Sequence, residues 1–377
     1  MLRRTVERFR TWRVTRPLAE SFEGSRFYPT DSIGWLKFGI AIGIVLAGAV
    51  FWGITRIPHV PHTVPFWGDP DPPPELTASA EQGLLDRFQP ILHFAPGEYW
   101  NPIPISAFLS DAVLKGDGPS DLTQPTEERQ PTDETLPRGR GYGLDLKPCL
   151  AAEGVDCYEG IAPSLSTQPP VLYGRVWRND TGAHKDIAYA IQYWVFYYFD
   201  DWRNSQTDPT IWQMHEGDWE DVTVGITRDD RPIYAAYSQH CKGAMRFWDN
   251  VSHEGDHPNV YVALGSHANY FTFGPHPIRM TCLGWAGSLA RLEKPVDVAG
   301  ENDPEGPDDA KVFRIDPAAP WVSFGGPWGE GQEIVTLDKR DKLHVQPWGT
   351  SPRGPAQTKL LWSNPVEETY SRWPEEK

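Results

Sequence analysis

HEGDWEDVTV, residues 215–224, carries the alternating valines of a core strand but opens on ionisable groups. Alternate side chains of a strand share a face, so Asp218, Glu220, Val222, Val224 and Ile226 point one way and Trp219 the other. The face with the apolar residues is the buried one. Carboxylates at the rim of an apolar interior are costly unless something compensates them. His215, Asp218 and Glu220 read H-x-x-D-x-E, and Gly217 is free to turn the chain so that the histidine joins the two acids. One imidazole and two carboxylates suit a divalent cation: Ca²⁺, Mg²⁺ or Mn²⁺ ahead of Zn²⁺, for want of a thiolate or a second histidine. Asp200 and Asp201 end the preceding apolar run. Asp201 has the parity of that run's apolar face, and either residue is a candidate fourth ligand. The competing reading is that Glu220 pairs with an arginine and Asp218 caps a turn, with no metal.

Working outward, IAYAIQYWVFYYF (187–199) reads as a long central strand with Ile187, Tyr189, Ile191, Tyr193, Val195, Tyr197 and Phe199 on one face. Trp219–Thr227 and Pro232–Gln239 flank TRDDRP as a hairpin. Ile91–Phe94, Val171–Trp177 and Val260–Leu264 are further strands. Short strands at close intervals, with helix only at the amino-terminal apolar segment and between Ala80 and Asp86, predict a mainly β fold of two packed sheets. The Gly-, Pro- and Asp-rich stretch from Lys115 to Gly143 reads as a loop.

The chain has 377 residues, 39% of them hydrophobic and 12% aromatic, enough for one large domain or two modest ones. Residues 1–34 are basic and are followed by WLKFGIAIGIVLAGAVFWGI, which begins at Trp35. An apolar run of about 20 residues is long enough to cross a bilayer as a helix. The positive-inside rule then puts 1–34 in the cytoplasm, a single-pass anchor at 35–56, a proline-rich spacer at 57–80 and an extracytoplasmic domain at 81–377. A cleaved signal peptide is the alternative, and it also exports the body. Residues 1–30 carry about +4, leaving close to −20 of the net −16 for the remainder. So acidic a body argues against nucleic acid and against docking on anionic lipid. Four cysteines fit an exported domain; Cys149 with Cys157 and Cys241 with Cys282 is the favoured of three connectivities.

Other motifs bear on activity. GSHANY (265–270) places His267 and Asn269 just past a strand end, either lining a site or forming a hydrogen-bonded turn. HEGDH (253–257) fits H-E-x-x-H, yet Gly255 and Pro258 oppose the helix that a zinc protease needs. No nucleophile-elbow, phosphate-loop or dinucleotide pattern is present. The Trp excess offers stacking faces for sugars, although most such rings pack cores, and Trp219 alternates away from the acids.

HEGDWEDVTV is similar to the H-x-G-D-W-E segment of the vacuolar protein sorting-associated protein 62 family. LLDRFQPILHFAPGEYWNPIPISAFL (84–109), YWVFYYFD (193–200), YVALGSHANYF (261–271), GGPWGE (325–330) and SPRGPAQTKLLW (351–362) resemble that family's landmarks in order. The resemblance spans about residues 83–365 and implies little about activity. More distantly, the motif resembles G-H-R-H-D-W-E of the necrosis- and ethylene-inducing-like proteins. That resemblance implies a lectin-like β-sandwich and a divalent cation near a glycan headgroup site. It places His215, Asp218 and Glu220 on ligand positions, with Asp201 or Asp200 on the fourth. Glu216 and Gly217 replace the motif's Arg and second His, so membrane damage is not implied.

The expected function is an anchored, exported β-sandwich that holds a divalent cation and binds a glycan or lipid headgroup. One alternative is a metal-dependent hydrolase in which Glu216 or His267 is the general base on a metal-bound water. A cell-envelope scaffold without metal is the other.

Overall fold

A computed structural model describes residues 71–116, 131–138, 141–147, 149, 155–203, 212–240, 242–278, 296–300, 310–330, 335–337, 343–345, 351–358 and 360–376. The segments 1–34 and 35–56, most of the spacer 57–80, and Cys241 and Cys282 lie outside these. Among the described residues no helix is long and apolar enough to cross a membrane.

The chain is mainly β, with strands β1 (Ile91–Phe94), β2 (Ala112–Gly116), β3 (Tyr142–Leu146), β4 (Val171–Arg178), β5 (Tyr189–Arg203), β6 (Trp212–Ile226), β7 (Pro232–Gln239), β8 (Lys242–Phe247), β9 (His253–Glu254), β10 (His257–Val262), β11 (Asn269–Tyr270), β12 (Gly274–Pro277), β13 (Val296–Ala299) and β14 (Lys311–Arg314). Six of them form one sheet in the order β14-β4-β5-β6-β7-β8, antiparallel except for the parallel pair β14 and β4. A smaller sheet joins β1 in parallel to β10, with β11 beyond. The hairpin expected at TRDDRP forms: Thr227 N–H donates to Arg231 O at 2.9 Å, and Asp230 takes φ +57°.

A two-sheet sandwich expects each sheet to keep one wet face. Here the large sheet is covered on both. Strand β5 is aromatic at both parities, and Tyr193 through Phe199 are at most 1% exposed. On one face Tyr193, Val195 and Tyr197 pack with Val222, Val224 and Ile226 under the small sheet and helix α1 (Ala78–Arg87). On the other, Trp194, Phe196 and Trp219 pack with Phe108 of α2 (Ile105–Asp111), Trp321 and Trp328; Tyr158 of α3 (Val155–Leu165) joins the same cluster. A layer of helices and loops covers the large sheet's second face, because a strand this apolar has no side to give to water. Burying each large side chain contributes about 1.5–3 kcal/mol. Trp219 lies opposite the acids, as its parity requires, and is core: it stacks on Trp321 at 5.8 Å and meets Trp328 edge-on.

Helix exceeds expectation, since α2 and α3 are too short to show a sustained 3.6-residue period. The loop read over 115–143 is narrower, because Lys115↔Gly143 and Gly116↔Tyr142 pair in β2 and β3. The spacer's end belongs to the body: α1 starts at Ala78, and the Tyr189 hydroxyl donates to Pro74 O at 2.8 Å. Cys149 and Cys157 are bonded, tying α3 to the segment before it.

Candidate metal centre

The site forms where β5 and β6 change faces together. Beyond Asp218 the alternation is regular, but Gly217 takes φ +58°, and the residues before it exchange sides. Met214 joins the Trp219 side of the sheet, and His215 turns toward Asp218. Glycine is required: a Cβ at 217 would overlap the Trp328 carbonyl oxygen. The partner strand mirrors the exchange, with Tyr197↔Asp218, Phe199↔Glu216 and Asp200↔His215 in register. Phe199 leaves the face of Tyr197 and stacks on Tyr158 at 4.1 Å. Asp200, rather than Asp201, therefore arrives beside His215, and parity carried straight through Tyr198 points to Asp201, the other of the two candidates.

Asp200, His215 and Asp218 each offer one ligand atom, all within 4.8 Å of one another. The His215 Nδ1–H donates to Gly217 O at 2.9 Å, which leaves the Nε2 lone pair free, 3.4 Å from an Asp200 oxygen. An imidazole whose far nitrogen is held by a backbone carbonyl is the usual state of a metal-bound histidine. Burial lowers the His215 pKa, favouring the neutral, ligating form. Asp200 accepts Trp202 N–H at 3.0 Å, and burial with the Asp218 charge holds its carboxyl well above the usual range.

His267 completes the group. It is fully buried, lies flat on the Tyr197 ring at 3.8 Å, and donates from Nδ1 to Asp218 at 3.0 Å. Burial opposes its charge, but the bond to Asp218 and the nearby Glu98 push its pKa up to about 10. Its Nε2 is buried without a hydrogen-bond partner, 3.8 Å from a Glu98 oxygen. Glu220 is outside the three-residue group: it accepts the Ser238 hydroxyl, and burial with the Asp218 charge raises its pKa well above the usual range. Asp201 accepts the Tyr99 hydroxyl. Asn269 is buried, with its backbone oxygen accepting from Gln239 at 3.1 Å. Among the described residues no Lys or Arg pairs with Asp200, Asp218 or Glu220, so the arginine-paired reading finds no partner.

Glu216 faces away. Its carboxylate accepts from Tyr158 at 2.6 Å, Glu330 N–H at 2.9 Å and Leu146 N–H at 3.1 Å. Burial raises its pKa to about 7, against those bonds. It clasps α3, the end of β3 and the segment at Glu330 on the far side of β6, and is not placed to act on a ligand beside Asp200. HEGDH is a hairpin of β9 and β10 with Gly255 at φ +62°, so the zinc-protease geometry is absent.

Sequence reading missed two carboxylates. Glu98 accepts Tyr99 N–H at 2.9 Å, Trp100 N–H at 2.8 Å and Gly265 N–H at 2.6 Å. Asp297 accepts from His240 at 2.7 Å, Tyr270 at 2.6 Å and Ser266 at 3.0 Å. Their partners lie up to 167 residues away in sequence, and neither has a local motif.

No family model matches the chain, so none stands behind the resemblance to the vacuolar protein sorting-associated protein 62 family, and no curated protein matches either. Solved structures of a toxin fold do match. One described as "Toxin fold for microbial attack and plant defense" is 18% identical, with TM-score 0.28, over 53% of this chain and 72% of that one. NLPPya in complex with glucosamine is 20% identical, with TM-score 0.30, over 53% and 71%. "Toxin fold as basis for microbial attack and plant defense" is 14% identical, with TM-score 0.30, over 64% and 77%. Superpositions this loose transfer neither fold detail nor residue roles to this chain.

Proposed function

We propose that this protein is a divalent-cation-dependent binding module. The cation is held by Asp200, His215 and Asp218, with Glu220 and Asp201 at the margin, and a polar ligand of the glycan or lipid-headgroup class is recognised beside it. The observation that carries the reading is the donor set itself: two buried carboxylates and an imidazole with a free Nε2 lone pair, within 4.8 Å of one another and without a Lys or Arg partner among the described residues. His267 is the partner of Asp218, and Asp200 has no basic partner but His215 among the described residues; a hard divalent ion takes oxygen and imidazole donors of this kind. With Glu216 turned away, the hydrolase alternative keeps only His267 of its two candidate bases, and His267 is engaged with Asp218 through Nδ1. In the same reading, residues 35–56 anchor the chain, 1–34 stay cytoplasmic, and the body from 81 to 377 is displayed outside.

The test is binding to a glycan and headgroup array with Mn²⁺ or Ca²⁺ and again with chelator, beside elemental analysis of the purified chain. Binding that needs the ion and is lost in Asp218→Ala with Glu220→Ala is expected. Retained binding in chelator, or turnover of a glycoside, phosphoester or ester substrate, overturns the reading.

A further inference from the structure

The turn Gly265–His267 is held from two sides by buried carboxylates of distant segments. Glu98, after β1, uses one oxygen on the N–H groups of Tyr99 and Trp100 and the other on Gly265 N–H. Asp297, in β13, accepts the Ser266 hydroxyl together with Tyr270 and His240. Within the loop, His267 N–H donates to Ala263 O at 3.1 Å and Ala263 N–H to Ala268 O at 3.0 Å; the carboxylates add side-chain anchors at Gly265 and Ser266. Gly265 sits at φ +75° and His267 at φ +52°. The left-handed region costs a non-glycine residue about 1–2 kcal/mol, so surrounding contacts must impose it. The same turn is stitched to the end of β5: Asp201 N–H donates to Gly265 O at 3.1 Å, and the Asp201 carbonyl fills the space a Cβ at 265 would need. The outcome is one placement of His267, flat on Tyr197 with Nδ1 on Asp218.

We propose that Glu98 and Asp297 are positioning residues of the cation site, holding the turn 265–267 so that His267 keeps the Asp218 carboxylate aimed at the position shared with Asp200 and His215. This rests on the cation reading above. Losing a group that orients a ligating side chain typically weakens metal binding about 10–100-fold. Glu98 and Asp297 act one bond further out, as the carboxylates that the turn's Gly265 N–H and Ser266 hydroxyl bind.

Mn²⁺ affinity of the full chain, measured by calorimetry for wild type, Glu98→Gln, Asp297→Asn and Asp221→Asn, tests this. Asp221 is an equally buried carboxylate on the other face of β6, bound to Thr223 and Gln192 and not to the turn. Glu98→Gln and Asp297→Asn are expected to weaken Mn²⁺ on the order of tenfold, whereas Asp221→Asn lowers the melting temperature and leaves affinity within about twofold. Affinities within about twofold of wild type in both turn variants overturn the inference. If either variant fails to fold, Ser266→Ala, which deletes a single hydroxyl, is measured in its place; weaker Mn²⁺ binding supports the inference, and wild-type affinity overturns it. Wild type that binds no Mn²⁺, Ca²⁺ or Mg²⁺ defeats the cation reading itself, a separate result.

Discussion

Gly217→Ala tests the face exchange that builds the site. At φ +58° an alanine costs about 1–2 kcal/mol in backbone strain. Its Cβ would also overlap the Trp328 carbonyl oxygen, and Trp328 cannot yield easily, being fully buried between Phe108, Phe196, Trp219 and Phe324. Forcing a methyl into a packed core costs about 1–3 kcal/mol more. The sum, about 2–5 kcal/mol, corresponds to a fall in melting temperature of roughly 3–8 °C for a body of this size. The strand's escape from the strain is to return residue 217 to extended geometry, which breaks the His215 to Gly217 bond and turns His215 away from Asp218. Cation binding is therefore lost along with stability. Gly83 is the control: it is exposed in α1, and a methyl added there meets nothing within 4 Å, so Gly83→Ala stabilises by about 0.4–1 kcal/mol. Differential scanning calorimetry with and without Mn²⁺ reads both. A Gly217→Ala protein that melts with wild type and keeps its full Mn²⁺ response refutes the face exchange as the origin of the site.

Other expectations follow from the buried acids. Glu216 and Asp221 are each raised to about 7, so the folded state holds more protons than the unfolded one between about pH 4 and 7. Stability is fully present below that window and falls as pH rises through it, by about 3 kcal/mol for Glu216, levelling off above. Urea unfolding between pH 4 and 8 checks the sign; stability that rises across the window contradicts it. Glu216→Gln flattens part of that slope and costs about 1–3 kcal/mol at pH 5, because its amide meets backbone N–H donors, while Mn²⁺ affinity is unchanged. A Mn²⁺ response abolished in Glu216→Gln would return that residue to the site. Because burial and Asp218 hold the Asp200 carboxyl protonated well above the usual range, a cation must displace that proton, so Mn²⁺ binds more tightly at pH 8 than at pH 5. Equal affinity at the two pH values would argue against Asp200 as a ligand.

The alternation in DWEDVTVGI and the TRDDRP turn made β6, its faces and its hairpin partner legible, and Gly217 marked where the chain could turn. The mirrored exchange on β5 was not legible. Phe196, Tyr197, Tyr198 and Phe199 are all buried, so no polar residue records which way each points, and the parity of Asp201 misled. The layer over the second face was hidden for the same reason: a strand apolar on both faces looks like any central strand until its covering helices are known. Both parallel pairings join segments more than 100 residues apart, which no local pattern reports. Glu98 was not legible as a site residue because its hydrogen-bond partners are backbone N–H groups, one of them in a distant loop. Asp297 likewise gathers side chains from the end of β7, the turn after β10 and β11, none of them near it in sequence.

The most direct test of the cation centre is the melting temperature of the full chain against Mn²⁺, Ca²⁺ and Mg²⁺, beside Asp200→Asn with Asp218→Asn. An ion at 100 times its Kd adds about 2.7 kcal/mol, roughly 4 °C here. The account predicts such a rise for at least one of the three ions in wild type and none in the double variant. A wild type indifferent to all three, or a double variant that responds as strongly, contradicts it.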